Sequence, residues 1–353
     1  MPSLNHRPVY LRAATVLNAA GSTCADLLSV VPEPQPLVFD ASRKGFCLAP
    51  PKLPTAVFDR KIQRGVEPQG LRLLHCVAGL ADELATLALP AQRVVLSAAI
   101  PEVDGPSTCW EAVQAIVEQP DQLLAQFIAH TPPMHALTLL NSSVMAYVAQ
   151  ALSCRGAMGG YCSQSNAGVD ALIEASTQLS EGRGEAALVV SSSPNITPAL
   201  YLREGNDGQR LYGEGAAALL LSTQPGTEPC LRIAGLARGY SASAERSDAA
   251  ARRVIEQALR QECLALSDVE RIVIDPDDPL VSRLFAGEER IVHNTRQLIG
   301  DLGASALLTE AALALYRQRS SARPAAYTLL LNRSQAGHWG AVLVAASQGE
   351  NAA

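Results

Sequence analysis

The sequence predicts a layered α/β fold made of two similar halves. Apolar runs of strand length alternate with longer segments of helical periodicity through most of the 353 residues, which is typical of sheets buried between layers of helices. The apolar strand at 213–222 begins with a glycine turn and is echoed by residues 337–345, which indicates an internal duplication. A Gln-Pro-Gly turn at 224–226 is the best boundary, so we predict an N-terminal half at 1–226 and a C-terminal half at 227–353.

The N-terminal half opens with an apolar run at 9–16 that predicts the first strand. Residues 32–61 are rich in proline and lack periodicity, which predicts a surface excursion rather than a separate domain. The apolar run at 93–98 is bounded by breakers and suits a strand buried on both faces. Apolar spacing predicts the other elements of this half, which are helices at 24–31, 69–87, 110–117, 122–128 and 137–152 and strands at 157–162, 186–192 and 213–222.

The same alternation restarts after residue 226, which supports the duplication. Apolar runs and helical spacing predict strands at 231–236, 271–274, 326–331 and 337–345 and helices at 248–264 and 305–317. Strands that alternate with helices in both halves predict sheets that are mostly buried.

Charge and composition exclude several classes of function. The net charge is −6 and no Lys/Arg cluster stands out, so we expect no nucleic acid partner. No apolar run reaches the roughly 18 residues of a membrane helix. The eight cysteines form no Cys-x-x-Cys pair and the N-terminus has no signal-like pattern, which predicts reduced thiols in a cytoplasmic protein. The six histidines lack ligand spacing, so we predict no metal site and no cofactor.

The most distinctive stretch is the turn at 159–175, where small residues and a group of polar residues lead into helical spacing. This pattern predicts a strand, a tight turn and the start of a helix. Ser165 or Asn166 can cap that helix, and Ala171 and Ala175 recur on one packed face. A side chain on such a turn points toward solvent or substrate.

This stretch resembles the nucleophile elbow of the β-ketoacyl synthases, where a Cys stands at the start of an Ala-rich helix. Counting back from Gly182 and the strand at 186–192 places the family's Cys position on Ser165, whereas Cys162 lies three residues earlier. The Gly-Val-Asp-Ala run at 168–171 resembles the chain-length-factor subunits of type II polyketide synthases, in which that Cys is lost.

The Gly-Glu-Gly-Ala-Ala run at 213–217 is a second mark of the same family. Alone it has a simpler explanation, because a glycine turn packs closely before a buried strand. It stands, however, at a family-like distance after the elbow at 161–168. The resemblance covers most of the chain and implies a thiolase fold, which is a duplicated five-layered αβαβα architecture.

The family's reaction, a decarboxylative Claisen condensation, implies a thiolate that carries the acyl chain and two histidines that polarise and stabilise the malonyl unit. Ser165 replaces the thiol, and a serine hydroxyl needs a positioned general base. The first His position falls at a strand end that carries Asp275, and the second holds Asp301, with Arg296 in place of a Lys. An acidic side chain there would repel a malonyl carboxylate or an enolate. All three catalytic positions are therefore replaced.

Two residues remain as fallback catalytic groups. Cys162 would be the nucleophile if the elbow began three residues earlier; the distance to Gly182 argues against this register, and the alternative is a buried strand cysteine. His338, in the late glycine-rich turn, would be a relocated base, although a His in a tight turn is more often a hydrogen-bonded structural residue. With Ser165 or Cys162 active, the chain would be a β-ketoacyl synthase-type acyltransferase or a decarboxylase.

The leading hypothesis is a catalytically silent ketosynthase-like subunit, similar to a chain-length factor, in a polyketide, aryl polyene or fatty acid system. The resemblance implies a catalytic ketosynthase subunit as partner, in a heterodimer or a larger assembly, and an acyl carrier protein that binds directly or through that partner. An acidic carrier would need a basic surface, for which Arg203, Arg210, Arg252 and Arg253 are candidates. A third possibility is a homodimeric protein that binds acyl chains or an acyl carrier protein.

Overall fold

The computed structural model describes residues 7–101, 110–131, 133, 140–203, 210–243, 246–275, 278–334 and 336–348. The strands in these ranges are β1 (Tyr10–Leu17), β2 (Gln35–Leu37), β3 (Asp40–Gly45), β4 (Val94–Ala99), β5 (Met158–Tyr161), β6 (Ala186–Ser192), β7 (Ala216–Ser222), β8 (Cys230–Tyr240), β9 (Arg271–Ile274), β10 (Ile291–His293), β11 (Tyr327–Arg333) and β12 (His338–Ser347).

The helices in the described ranges are α1 (Asp26–Ser29), α2 (Pro68–Ala78), α3 (Ala81–Thr86), α4 (Trp110–Glu118), α5 (Leu123–His130), α6 (Asn141–Ala151), α7 (Ala167–Ser180), α8 (Pro198–Arg203), α9 (Ser247–Arg260), α10 (Pro279–Leu284), α11 (Arg296–Ile299) and α12 (Ala306–Ser320). None of the helices described here is both long and apolar enough to cross a membrane.

The main sheet has ten strands in the order β10-β9-β11-β12-β8-β1-β7-β6-β4-β5. It consists of two groups of five, and in each group the strands stand in the same order when they are counted along the chain. In the first group β1, β7 and β6 are antiparallel and β6, β4 and β5 are parallel. In the second group β8, β12 and β11 are antiparallel and β11, β9 and β10 are parallel. The groups meet where Tyr10 and Leu11 of β1 pair with Arg232 and Leu231 of β8.

The two groups of strands have helices on both faces. Successive residues of a strand point to opposite sides, so Leu188 of β6 packs toward α2 and α6 while Val189 packs toward α7. Helices α7 and α12 share one buried cluster with both groups of strands, and α9 and α10 cover the outer face of the second group. Burial of a side chain such as Leu172 of α7, which is 0% exposed, stabilises the fold by about 1.5–3 kcal/mol. The layers are outer helices, the first group of strands, the central helices α7 and α12, the second group of strands and outer helices again. This order confirms the predicted five layers.

The predicted boundary at 224–226 falls in the turn between β7 and β8. This turn links the last strand of the first group to the first strand of the second. We therefore propose the division into halves at 1–226 and 227–353, which the equal strand order supports.

Several predicted elements have different bounds in the structure. The helix predicted at 69–87 is two helices. The first, α2, ends at Ala78, because the N–H of the next residue, Gly79, donates to the carbonyl of Cys76 in a tighter turn. The excursion at 32–61 contains the hairpin of β2 and β3, and Leu37 of this hairpin is buried against Leu200 of α8. The three residues of β2 are too few to show a period of two, and the mostly polar sequence of β3, Asp-Ala-Ser-Arg-Lys-Gly, carries no apolar alternation. The helix predicted at 137–152 is described from Asn141 onward, and residues 134–139 lie outside the described residues.

Candidate functional site

The elbow is formed by β5, a short 3₁₀ turn at Gln164–Asn166 and the start of α7. The carbonyl of Ser163 accepts hydrogen bonds from the N–H groups of Asn166 at 3.0 Å and Ala167 at 2.8 Å. Asn166 occupies the N-cap position of α7, but its side chain makes no capping hydrogen bond, so the predicted cap is wrong. The Asn166 Oδ1 atom instead lies 3.5 Å from the Nδ2 atom of Asn332 on β11.

Asn332 joins the elbow to the C-terminal half. Its Nδ2 atom donates to the carbonyl of Ser165 at 2.7 Å. Strand β11 belongs to the second group of strands, and α7 lies in the central helix layer. This bond therefore fixes Ser165 where the two halves meet. The elbow position that the sequence predicts is thus held by residues of both halves of the chain.

The three positions predicted from the family resemblance lie around one cavity. Ser165, Asp275 and Asp301 all line it, and the cavity has a volume of about 30 Å³, which is room for about two water molecules. The other described side chains and backbone groups on its wall come from Arg210, Asn294, Thr295, Arg296, Gly300, Leu302, Ala306, Glu310, Leu331, Asn332 and Arg333. Among these lining residues there is neither a cysteine nor a histidine.

Two arginine–aspartate ion pairs occupy the cavity wall. Arg210 pairs with Asp301, and the two side chains are only 12% and 8% exposed. Arg296, at the start of α11, pairs with Asp275. The Oδ1 atom of Asp301 also accepts a hydrogen bond from the N–H of Gly303 at 2.8 Å. Both carboxylates are therefore held by arginine side chains.

Glu310 and Thr295 are cavity residues that the sequence reasoning missed. The Glu310 Oε1 atom accepts hydrogen bonds from the N–H and the hydroxyl of Thr295, each at 2.7 Å. Burial raises the pKa of Glu310, while the Thr295 hydrogen bonds and Arg317 act to lower it. The available signal was a single carboxylate inside the otherwise apolar stretch of α12, because such a residue is seldom buried without a partner.

The two fallback catalytic residues lie outside the cavity lining. Cys162 is exposed and follows β5, which ends at Tyr161, so the alternative of a buried strand cysteine is wrong. The strand is at the edge of the sheet and is too short to enclose it. His338 begins β12, its N–H donates to the Ser334 hydroxyl at 3.1 Å, and its ring lies 4.9 Å from the ring of Tyr240.

The Gly-Glu-Gly motif has a structural role in this chain. The Glu214 carboxylate accepts hydrogen bonds from the N–H groups of Ile196 at 2.9 Å and Leu48 at 2.8 Å. Arg72 of α2, whose side chain is 1% exposed, forms an ion pair with Glu214 at 3.2 Å. Burial lowers the pKa of Arg72, and Glu214 opposes that shift. Glu214 thus connects three segments that are far apart in the sequence, at Leu48, at α2 and at Ile196.

The described part of the chain contains no group of side chains that could bind a metal ion. No group of three or more His, Cys, Asp or Glu side chains is arranged there to hold a metal ion. Two carboxylates of the cavity, Asp275 and Asp301, pair with guanidinium groups, and the third, Glu310, accepts hydrogen bonds from Thr295.

No protein-family model matches the sequence, and no curated protein is significantly similar to it. Solved structures, in contrast, match almost the whole chain. The complex of a type II polyketide synthase acyl carrier protein with its hexaketide-bound ketosynthase has a TM-score of 0.74 and 14% identity, and the match covers 96% of this chain and 99% of that one. A β-ketoacyl synthase from Burkholderia phymatum has a TM-score of 0.73 and 13% identity, and the match covers 97% and 100%.

A ketosynthase in complex with its chain length factor from Xenorhabdus doucetiae has a TM-score of 0.70 and 14% identity, and the match covers 98% of this chain and 99% of that one. These proteins come from the groups that the elbow and the Gly-Glu-Gly strand resemble. Identities this low are informative about the fold alone. The chain therefore has the thiolase fold in which ketosynthases and chain length factors are built.

Proposed function

We propose that this chain is a non-catalytic ketosynthase-like subunit, similar to a chain-length factor, that pairs with an active β-ketoacyl-[acyl-carrier-protein] synthase. In that complex it would support the partner's active site and help shape the tunnel for a growing polyketide, polyene or fatty acyl chain. The observation that carries the proposal is the cavity beside Ser165, whose described lining holds two arginine–aspartate pairs and neither a cysteine nor a histidine.

The chemistry of condensation supports the same proposal. A cysteine thiolate at a helix start is a usable nucleophile because the helix dipole lowers its pKa, but Ser165 has a hydroxyl and needs a base. Among the nearby carboxylates, Asp301 and Asp275 are paired with Arg210 and Arg296, and Glu310 accepts hydrogen bonds from Thr295. A cavity of about 30 Å³ also leaves no space for an acyl thioester.

The proposed pairing is supported by apolar groups that have no partner within the described chain. Met158 on the edge strand β5 is 56% exposed. One face of α5 carries the exposed side chains of Leu123, Leu124, Phe127 and Ile128. Exposed apolar sets of this kind are typical of protein–protein interfaces, and an edge strand offers free backbone groups for a partner strand.

Substitution at the two nucleophile candidates tests the proposal. We expect Ser165→Ala and Cys162→Ala each to leave the turnover of a reconstituted ketosynthase complex within about twofold of the unmodified complex. An active acyltransferase or decarboxylase that uses either residue would instead lose several orders of magnitude. Intact-mass spectrometry of the purified chain with acyl and malonyl carrier proteins is the second measurement, and a stable acyl adduct on this chain alone would overturn the proposal.

A further inference from the structure

A groove lies on the outer face of the C-terminal half, between α9, the chain that follows it and the end of α10. Its volume is about 400 Å³. The floor is apolar and is formed by Ile255, Leu259, Leu264, Leu266, Leu284 and Phe285. The groove shares no lining residue with the cavity beside Ser165, so its use is independent of the chemistry of that site.

The outward side of α9 is positively charged. Arg252, Arg253 and Arg260 of this helix and Arg246 just before it are exposed, and none of the four has an ion-pair partner among the described residues. Glu256 is the one exposed acid among the residues that line the groove. Asp248, at the start of α9, is paired with Arg283 at 2.9 Å. The chain as a whole has a net charge of −6, so this basic rim contrasts with the rest of the molecule.

The combination of an apolar floor and a basic rim defines the partner by its chemistry. A volume of about 400 Å³ admits one or two large apolar side chains, and exposed arginines attract carboxylates that flank them. A helix laid in a groove presents this pattern through apolar anchors spaced three and four residues apart. A nucleic acid phosphate backbone would use the arginines but leave the apolar floor empty.

We infer that the α9 groove is a docking surface for an acidic, amphipathic helix of an acyl carrier protein. This inference rests on the proposed function, because it assumes that the chain works beside a carrier. The contact is of the small, transient kind, in which rim charges chiefly speed association. The chain would then bind the carrier directly, on a face away from the cavity beside Ser165.

Among the described residues, three exposed cysteines allow a test without any substitution. Cys263 lines the groove, whereas Cys47 and Cys162 are exposed elsewhere. The full chain is alkylated with N-ethylmaleimide, with and without a holo acyl carrier protein, and each peptide is followed by mass spectrometry. We expect Cys263 to react about fivefold more slowly at a carrier concentration of about four times Kd, with Cys47 and Cys162 unchanged. An unchanged rate at Cys263 with saturating carrier would overturn the inference.

Charge reversal provides the second test. In Arg252→Glu with Arg260→Glu, we expect carrier affinity to fall at least about tenfold and to lose most of its salt dependence. The matched control is Arg60→Glu with Arg64→Glu, which changes the net charge equally at two exposed arginines outside the groove and should alter affinity less than about twofold. Leu284→Gln should weaken binding without changing charge. Equal losses in the two double variants would contradict a specific surface.

The proposed function is measured separately in the same samples. Pairing with a catalytic ketosynthase is read by size-exclusion chromatography with light scattering, and thermal unfolding checks that each variant is folded. If the Arg252 and Arg260 variant pairs normally and the unmodified chain binds no carrier, the groove inference alone is wrong. If the unmodified chain pairs with no ketosynthase but its Cys263 is protected by the carrier, the proposed function is wrong and the docking surface stands.

Discussion

Asp301 is a buried carboxylate and depends on a cation in its surroundings. A carboxylate that is 8% exposed needs a cation nearby, because an unpaired buried charge is very costly. Arg210 supplies that cation from 91 residues away in the sequence. The resemblance in the sequence predicts Asp301 at the family's second His position, but the matching Arg210 could not be identified, since residues so far apart come together only in the folded chain.

The Arg210–Asp301 pair provides the first prediction. Removing one partner of a buried ion pair leaves the other charge uncompensated, so we expect Arg210→Ala to lower the free energy of unfolding by about 3–5 kcal/mol. Replacing both, as in Arg210→Met with Asp301→Leu, should be close to neutral. Urea denaturation measures each value.

The exposed pair of Arg183 and Glu181 is the control, with side chains 53% and 37% exposed. Arg183→Ala should cost less than about 1 kcal/mol, because water screens such pairs. If Arg210→Ala costs no more than Arg183→Ala, the two arginine pairs do not stabilise the cavity as the proposed function requires.

Glu310 provides a pH-dependent prediction. Burial raises its pKa above the ordinary value of 4.5 in the folded protein, so the folded state keeps a proton that the unfolded chain has already released. Stability is therefore lost as the pH rises from the unfolded pKa through the folded one, by about 1.4 kcal/mol for each unit of the shift. Glu310→Gln keeps the acceptor for Thr295 and has no charge to bury.

The measurement is urea denaturation of both proteins at pH 5 and pH 8. We expect Glu310→Gln to gain stability relative to the unmodified chain as the pH rises. Glu111→Gln, at an exposed position on α4, should show no such trend. A constant difference between Glu310→Gln and the unmodified chain across this range would show that Glu310 is not held in its neutral form.

At the scale of elements, the Gly-Glu-Gly motif confirms the simpler explanation of its sequence, which is a glycine turn packed closely before a buried strand. A Cβ atom on Gly213 would lie 1.9 Å from the carbonyl oxygen of Ile299, so two loops cross here with no space for a side chain. Gly300, on the crossing segment, has φ +76, a conformation that glycine adopts without strain. The motif therefore brings the segment with Asp301 against the start of β7.

The crossing provides the third prediction. Gly213→Ala should lower the free energy of unfolding by about 3 kcal/mol, because the added methyl group meets backbone that cannot move aside. Gly65→Ala is the control, since its nearest neighbour would be 3.9 Å away and the change should stay within about 1 kcal/mol. Thermal or urea denaturation of both variants decides the point, and similar losses would mean that the crossing is not rigid.

The elements that sequence patterns predicted well are those with long apolar runs. Strand β6 was predicted with its observed bounds, β4 was predicted at 93–98 and lies at 94–99, and β7 was predicted from 213 but begins at Ala216; every residue of the three strands is buried. The hairpin of β2 and β3 and the break between α2 and α3 were not predicted. The hairpin depends on contacts with a distant segment, such as Leu37 against Leu200, that local periodicity does not record. The break follows from the local turn at Gly79, whose N–H donates to the carbonyl of Cys76.

At the scale of the whole molecule, the layered architecture follows from the order of strands and helices, but the surfaces do not. The two groups of strands share one order and enclose α7 and α12, as alternation in the sequence predicts. The sequence could not show which apolar groups remain exposed, because Leu124 on α5 and Leu179 on α7 are the same residue type in similar helical patterns. Only packing shows that Leu179 is buried and Leu124 is exposed.

The free edge of β5 provides the last prediction, which concerns assembly. The carbonyls of Ala157 and Tyr161 accept hydrogen bonds from the β4 strand and the residue after it, each at 3.0 Å, so by the period of two the N–H of Met158 points away from β4. Met158→Pro removes that outward donor and leaves the bonds to β4 in place. We expect the variant to fold as well as the unmodified chain but to bind a catalytic ketosynthase at least about tenfold more weakly, since strand addition depends on main-chain bonds. Met158→Ala, which keeps the N–H, is the control, and normal pairing of the proline variant would place the partner on another surface such as the exposed face of α5.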